Sequence, residues 1–280
     1  MRSHGLPMQI LFTLLLGLSW GVPVAPVAHG DGTTYATGLA ENRLIPFPDA
    51  TQLRMDALTN LLIKENADRR TVYLTEGQIQ ASIQHGKSKP LDVVVHGILL
   101  HDLGTEFNVA AHGDVVAVSV TDGKIQVFEL HPDGTQANPI NIKGRSATRT
   151  ATFLVPGDLV RLESHDETVL VTREGNSLDE ARNRTSWIEG RLKTSGQRLD
   201  EVLWEISSRN KVRLLPSDAS VAQMSIGGNY DLMRIDEFLQ AAPDLGLEVV
   251  RVPEDGDTPT FLLRPAPDDT APKPHRSRKN

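Results

Sequence analysis

The sequence of 280 residues contains no cysteine, which excludes disulfides, thiol nucleophiles and cysteine-ligated metals. A bacterial lipoprotein carries its lipid on a cysteine, so that route to a membrane is excluded as well. The net charge is −7, and basic residues cluster only between Lys273 and Lys279. Because binding to phosphate backbones requires clustered Lys and Arg, we expect no nucleic-acid partner.

Long apolar runs are also scarce. One run, from Ile10 to Val22, follows Arg2 and precedes prolines and small residues, which is the layout of a secretory signal peptide over residues 1–30. A bilayer core needs about 20 apolar helical residues, and proline ends this run after roughly two-thirds of that length. We therefore expect a periplasmic protein whose signal peptide is removed. The alternative is an inner-membrane anchor formed by residues 10–28.

Motifs of catalysis are missing too. The sequence has no nucleophile elbow, phosphate loop or metal-binding helix motif. His96, His101 and His112 are close in sequence, but their irregular spacing without a carboxylate cluster favours surface histidines over metal ligands. We expect a protein that is not an enzyme and that has no catalytic residues, metal or cofactor.

What the sequence does contain, over residues 40–172, is short β-type segments separated by turns. Residues 78–83 alternate strictly, which predicts Ile79 on a core face with Gln78 and Gln80 facing water. Asp122-Gly123 separates two alternating apolar runs and predicts a β-hairpin. The whole region predicts an all-β sandwich or jelly-roll-like domain. Arg54, Arg69 and Arg70 are expected in solvent.

The period then changes from two to that of a helix. Residues 173–186 are polar and predict a linker. Apolar stripes beginning at Leu199 and at Ile235 predict two amphipathic helices, with Asp231 as the N-cap of the second. Residues 187–264 therefore predict a smaller α+β domain of two strand-helix-strand halves, with both helices on one face of a shared sheet. Residues 265–280 predict a disordered tail.

Several motifs in the β region resemble those of the FecR family, in that family's order. They are Arg70-Thr-Val-Tyr-Leu-Thr-Glu-Gly77, Leu103-Gly-Thr-Glu-Phe-Asn-Val109, Val120-Thr-Asp-Gly-Lys-Ile-Gln-Val127 and Pro156-Gly-Asp-Leu-Val160. Residues 187–264 are similar to the short domain at the N-termini of secretins and TonB-dependent transducers. This resemblance rests on Trp187, Gly190-Arg-Leu192, the two helices and Ile226-Gly-Gly-Asn-Tyr230.

The resemblance implies a sensor of cell-surface signalling. Such a protein binds the signalling domain of an outer-membrane TonB-dependent transducer, regulates an extracytoplasmic-function sigma factor and so controls iron transport. The residues before Ile10 are too few for a cytoplasmic anti-sigma domain. We therefore expect an indirect effect on the sigma factor, in which a membrane anti-sigma protein is a further candidate partner. The alternatives are an exported structural or glycan-binding module and, last, an exported hydrolase.

An open strand edge in the α+β domain is the predicted partner-binding site, because extended partners add to such edges through main-chain hydrogen bonds. Trp204 on the first helix is either a core residue or an exposed anchor for the partner. The candidate residues are Gln223, Ser225, Gly227, Tyr230 and Trp204.

Overall fold

The structure is a computed structural model. It describes residues 27–29, 32–84, 86, 88–130, 136–140, 142–143, 150–151, 153–165, 168–253 and 258–267. The predicted signal peptide up to residue 26 and the predicted tail from residue 268 lie outside these ranges.

The β region forms two sheets around one core. Sheet A contains β1 (Val27–His29), β2 (Gly32–Ala36), β5 (Asn60–Glu65), the first half of β6 (Arg70–Ser82), β7 (Leu91–Val95), β8 (Ile98–Asp102), β11 (Ile125–Leu130), β12 (Gln136–Pro139) and β15 (Phe153–Leu154). Sheet B contains β3 (Arg43–Pro46), β4 (Gln52–Met55), the second half of β6, β9 (Glu106–His112), β10 (Val115–Asp122), β16 (Asp158–His165) and β17 (Thr168–Asn176). The short strands β13 (Ile142–Lys143) and β14 (Thr150–Ala151) pair with each other.

Strand β6 belongs to both sheets. Residues 70–76 pair with β5, while residues 77–82 pair with β9. The change of partner falls at Gly77, which has φ +99°, and a Cβ there would lie 2.4 Å from Thr59 Cα. Only glycine fits this crossing. Apolar residues of both sheets, such as Val93 and Val109, fill the core between them, which confirms the prediction of a mainly β fold.

The predicted hairpin at Asp122-Gly123 is wrong. Strand β10 pairs with β9 and β16 in sheet B, whereas β11 pairs with β8 in sheet A. The turn therefore carries the chain from one sheet to the other. Gly123 has φ +78°, and a Cβ would lie 2.1 Å from the carbonyl oxygen of Gly104, so glycine serves a close backbone crossing.

Residues 177–265, called here the C-terminal part, contain the helices. The helical elements are α1 (Leu178–Asn183), the 3₁₀ turn η1 (Ser186–Glu189), α2 (Leu199–Ser207), α3 (Ala219–Ala222), α4 (Ile235–Ala241) and the 3₁₀ turn η2 (Ala242–Leu245). The strands are β18 (Arg191–Arg198), β19 (Arg213–Pro216), β20 (Ser225–Asp231), β21 (Leu247–Val252) and β22 (Thr260–Pro265).

The two strand-helix-strand halves are present as β18-α2-β19 and β20-α4-β21. The predicted shared sheet is wrong. The first strands of the two halves pair as β18-β20, while the last strands form a separate sheet in the order β19-β22-β21. The helices and both sheets share one core, in which the apolar stripe of each helix packs against a sheet. This core contains Leu203, Phe238, Ile226 and Leu263.

Two local details of the C-terminal part differ from expectation. Asp231 does not cap α4. Its carboxylate accepts a hydrogen bond from Met233 N (2.9 Å), and Arg234 occupies the N-cap position. The segment predicted as a linker, residues 173–186, holds the end of β17 and helix α1, whose N-cap Ser177 accepts from Glu180 N. Among the described residues, no helix is both long and apolar enough to cross a membrane.

Candidate functional site: a free strand edge and a polar interface

Strand β20 has one paired side and one free side among the described strands. It pairs only with β18, from Arg191 opposite Asp231 to Arg198 opposite Ser225. A bulge at Gly196 lies on β18, so β20 itself runs without interruption. The free side thus carries a row of main-chain donors and acceptors, of which Gly227 O already accepts from the Tyr230 hydroxyl. Such an edge is the usual template for strand addition.

The hydrogen bonds flanking this ladder identify the free donors. Leu232 N donates to Gly190 O (3.0 Å), and Leu199 N donates to Met224 O (2.8 Å). In an antiparallel pair the N–H groups of one strand alternate between the two sides. The N–H groups directed away from β18 therefore belong to residues 225, 227, 229 and 231.

The structure places four of the five predicted residues in or beside this edge. Ser225 and Gly227 are exposed and lie in β20, whereas Gln223 is the C-cap of α3. Tyr230 also lies in β20, but its ring packs edge-on against Phe238, with 5.3 Å between ring centroids, and its hydroxyl donates to Gly227 O. Burial raises the pKa of Tyr230. Tyr230 thus packs on α4 and occupies one acceptor of the free side.

Trp204 lies elsewhere, between α2 and sheet B. Its ring stacks on His112 of β9, with 3.6 Å between ring centroids. It is half-buried rather than a core residue. The edge and Trp204 therefore belong to two separate surfaces, and their part in partner binding stays a prediction.

The surface beneath Trp204 is an interface between the C-terminal part and the outer face of sheet B. Trp187 of η1 donates its indole N–H to Asn108 Oδ1 on β9 (3.1 Å). Gln78 of β6 donates through Nε2 to the same oxygen (3.1 Å) and to Arg184 O (3.3 Å). Gln78 and Gln80, predicted to face water, are 3% and 5% exposed. The prediction for Gln78 is wrong because residues more than 100 positions later cover this face.

A network of alternating charges lies beside these bonds. Arg161 of β16 contacts Glu174 of β17 (2.8 Å) and Glu201 of α2. Arg184 contacts the same two carboxylates, each at 3.2 Å. Burial lowers the pKa of Arg184, and Glu174 opposes that change. Each guanidinium thus bridges sheet B and α2 through shared carboxylates.

A second cluster lies deeper in the interface. Arg209, just after α2, binds Asp56 of the β4–β5 loop and Glu205 of α2 (3.4 Å). All three side chains are nearly inaccessible. Burial, and next the charge of Asp56, raises the pKa of Glu205 to about 8, while burial also raises the pKa of Asp56 against the effect of Arg209. One guanidinium cannot balance two buried carboxylates, so Asp56 and Glu205 together hold one proton at neutral pH.

The interface is incompletely packed. It contains a partly open cavity of about 190 Å³ beside Ala110, Ala117, His112 and Trp204. Ala110 and Ala117 lie directly opposite each other on β9 and β10, and their small side chains leave the floor of this space unfilled.

Asp56, Arg209 and Arg161 were not predicted as site residues. They are far apart in the sequence, and only the packing of distant elements brings the charges together. Arg70, expected in solvent, is also buried. It stacks 3.7 Å from the centroid of the Phe47 ring and bonds Asp49 and Glu65.

The histidines do not converge. His101 bonds Asp92 (2.6 Å), His112 stacks on Trp204, and His96 forms the β7–β8 turn. The described residues contain no group of three side chains placed to hold a metal ion.

A known protein family matches most of the β region. Residues 33–126 match the family described as FecR protein. The resemblance stated from the motifs is confirmed there. The match ends before residue 156, and the resemblance of residues 187–264 to the secretin and transducer domain stays a prediction.

Solved structures match over nearly their whole length. One, described as a "putative anti-sigma factor" from Parabacteroides distasonis ATCC 8503, has a TM-score of 0.62 and 20% identity and covers 82% of this chain and 98% of its own. A second structure with the same description has a TM-score of 0.62 and 20% identity, covering 84% and 99%. At this identity the likeness concerns the fold. No curated protein matches the sequence.

Proposed function

We propose that this protein is a regulatory protein of the cell envelope that binds a signalling partner through the free edge of β20 and thereby influences a sigma factor. The match of residues 33–126 to the FecR family and the fold shared with proteins described as anti-sigma factors support a regulatory rather than a catalytic role. The observation that carries the binding mode is the free row of N–H groups on β20, bordered by exposed and small residues.

The proposed partner is the N-terminal signalling domain of an outer-membrane TonB-dependent transducer, met in the periplasm after removal of residues 1–30. The effect on the sigma factor is indirect in this proposal, through a membrane anti-sigma protein. Main-chain bonds to β20 supply the affinity, and Ser225 and Asn229 on the exposed face contribute to partner choice.

The direct test is Ser225→Pro, compared with Ser225→Ala. Proline removes one N–H of the free edge and leaves the hydrogen bonds to β18 intact, because the N–H of residue 225 points away from β18. We expect Ser225→Pro to weaken binding of a purified transducer signalling domain at least tenfold by calorimetry. Ser225→Ala keeps the N–H and should bind as the wild type does. Equal affinity of both variants, with unchanged circular dichroism, would exclude this edge.

A further inference from the structure

The contact between the C-terminal part and sheet B differs from the two cores on either side of it. Each side has its own apolar cluster, centred on residues such as Val109 and Leu203. The contact between them contains the ion pairs of Arg161, Arg184 and Arg209 beside the 190 Å³ cavity, whose surface is mostly apolar.

Contacts within a chain that include charged groups and unfilled space are typical of parts that move relative to one another, whereas obligate interfaces resemble a core. Trp187 is 2% exposed, belongs to the C-terminal cluster and also bonds Asn108 across the contact, so separating the two sides would expose it.

One cluster fastens this contact. Asp56 belongs to the β region, while Arg209 and Glu205 belong to the C-terminal part, so the Asp56–Arg209 pair crosses the interface at a fully buried point. Ala40 N donates to Ser208 O (3.1 Å) next to it. Removing one member of a buried ion pair leaves an uncompensated charge, which strongly favours a state in which water reaches that charge.

A short chain of contacts connects the interface to the β20 edge. Strand β20 pairs with β18, and Lys193 N of β18 donates to Ser186 Oγ of η1 (3.0 Å). The next residue, Trp187, donates to Asn108 of sheet B. One hydrogen bond and one covalent step thus connect β18 to the Trp187–Asn108 bond.

We propose that the C-terminal part is a detachable cap on the outer face of sheet B, held by the Asp56–Arg209–Glu205 cluster, and that strand addition to β20 releases it by withdrawing Trp187 from Asn108. Release uncovers Gln78, Asn108 and Arg161. The cap is inferred from the interface alone, whereas the release step rests on the proposed function.

The cap is tested without a partner by Arg209→Met. The chain has no cysteine, so two introduced cysteines, Asp114→Cys on the β9–β10 turn and Asp236→Cys on α4, both exposed, carry spin labels cleanly. Pulsed electron paramagnetic resonance should give a narrow distribution of distances between the two labels in the otherwise unchanged chain. In Arg209→Met the distribution should be broad and its mean distance longer. Trp187 and Trp204 both lie in the interface. In Arg209→Met their fluorescence emission should therefore shift to the red, and quenching of that fluorescence by acrylamide should rise at least twofold.

Arg70→Met is the matched control, because it also removes a buried arginine but one whose partners Asp49 and Glu65 lie in the same region. It should leave the distance unchanged. If Arg209→Met proves unfolded by circular dichroism, Trp187→Phe, which loses the indole N–H together with part of the ring, replaces it. A folded variant with an unchanged distance would overturn the cap.

The release step is tested by adding the purified transducer signalling domain to the spin-labelled chain. The expected result is binding together with the broad distribution. Binding with an unchanged distance would overturn the release step and leave the proposed function standing. Failure to bind would contradict the proposed function, and with it the release step, while the Arg209→Met result would still decide the cap.

Discussion

Single glycines fix the points where the chain passes between the two sheets. Gly77 and Gly123 both have positive φ and no room for a Cβ. Their presence in the FecR-like motifs therefore has a structural reason, since each permits a close backbone crossing. The sequence predicts a turn or bulge at Gly123, and the structure adds that the backbone of Gly104 lies opposite.

We predict that Gly123→Ala lowers the free energy of unfolding by more than about 3 kcal/mol, from left-handed strain and a clash with Gly104 O. Gly113→Ala is the matched control, because Gly113 has φ +56° but open space around it. It should cost only about 1–2 kcal/mol. Urea unfolding checks both, and equal costs would show that the crossing is less tight than described.

Residue-scale prediction failed at Arg70 and Gln78 for one physical reason. Alternation within a strand predicts which face a side chain takes, but not what covers that face. Gln78 is on the outer face as predicted, and helices from a distant part of the chain bury it. Arg70 is buried by charges and a ring contributed by other segments.

At the scale of elements, the helices could be predicted and the strand partners could not. The stripes beginning at Leu199 and Ile235 predict α2 and α4 because helical period is a local signal. Asp122-Gly123 has the sequence of a hairpin turn, but the pairing of β10 and β11 depends on which sheet each strand joins. A turn signal carries no information on that choice.

Leu203→Ala in α2 should destabilise the C-terminal part by about 2–5 kcal/mol, because Leu203 is 1% exposed in its core and the space left cannot refill. Glu237→Ala in α4, on an exposed side chain, should change stability by less than about 0.5 kcal/mol. Thermal unfolding monitored by circular dichroism measures both. A cost for Leu203→Ala below 1 kcal/mol would contradict the described packing.

At the scale of the whole molecule, the interface should respond to pH. Glu205 faces Asp56, Arg209 and Arg184, and its pKa in the folded protein, about 8, lies above its ordinary value of 4.5. The folded state therefore holds this proton more tightly. The stabilisation is complete below about pH 4.5 and is lost as pH rises towards 8.

We therefore predict that the interface opens progressively between pH 5 and pH 9, seen as rising acrylamide quenching of Trp187 and Trp204. Glu205→Gln keeps a neutral group of the same shape, so quenching in that variant should stay nearly constant over the range. An identical pH profile in both proteins would exclude Glu205 as the responsible group.

The interface itself was beyond sequence reasoning. Residues 173–186 are polar, which suggests a solvated linker, but their charges meet Arg161, Glu201 and sheet B in the fold. Polarity in a sequence does not distinguish a solvated segment from one whose charges are paired across an interface. The strand edge at β20 is predicted from the sequence because its glycines and polar residues are a local signal of an exposed strand.

The most direct test of the account is amide hydrogen exchange at β20 with and without the purified transducer signalling domain. Strand addition should slow the exchange of residues 225, 227, 229 and 231 at least tenfold, while residues 226, 228 and 230, on the β18 side, change little. Binding that leaves the first set unchanged, or that protects both sets equally, would contradict docking at this edge.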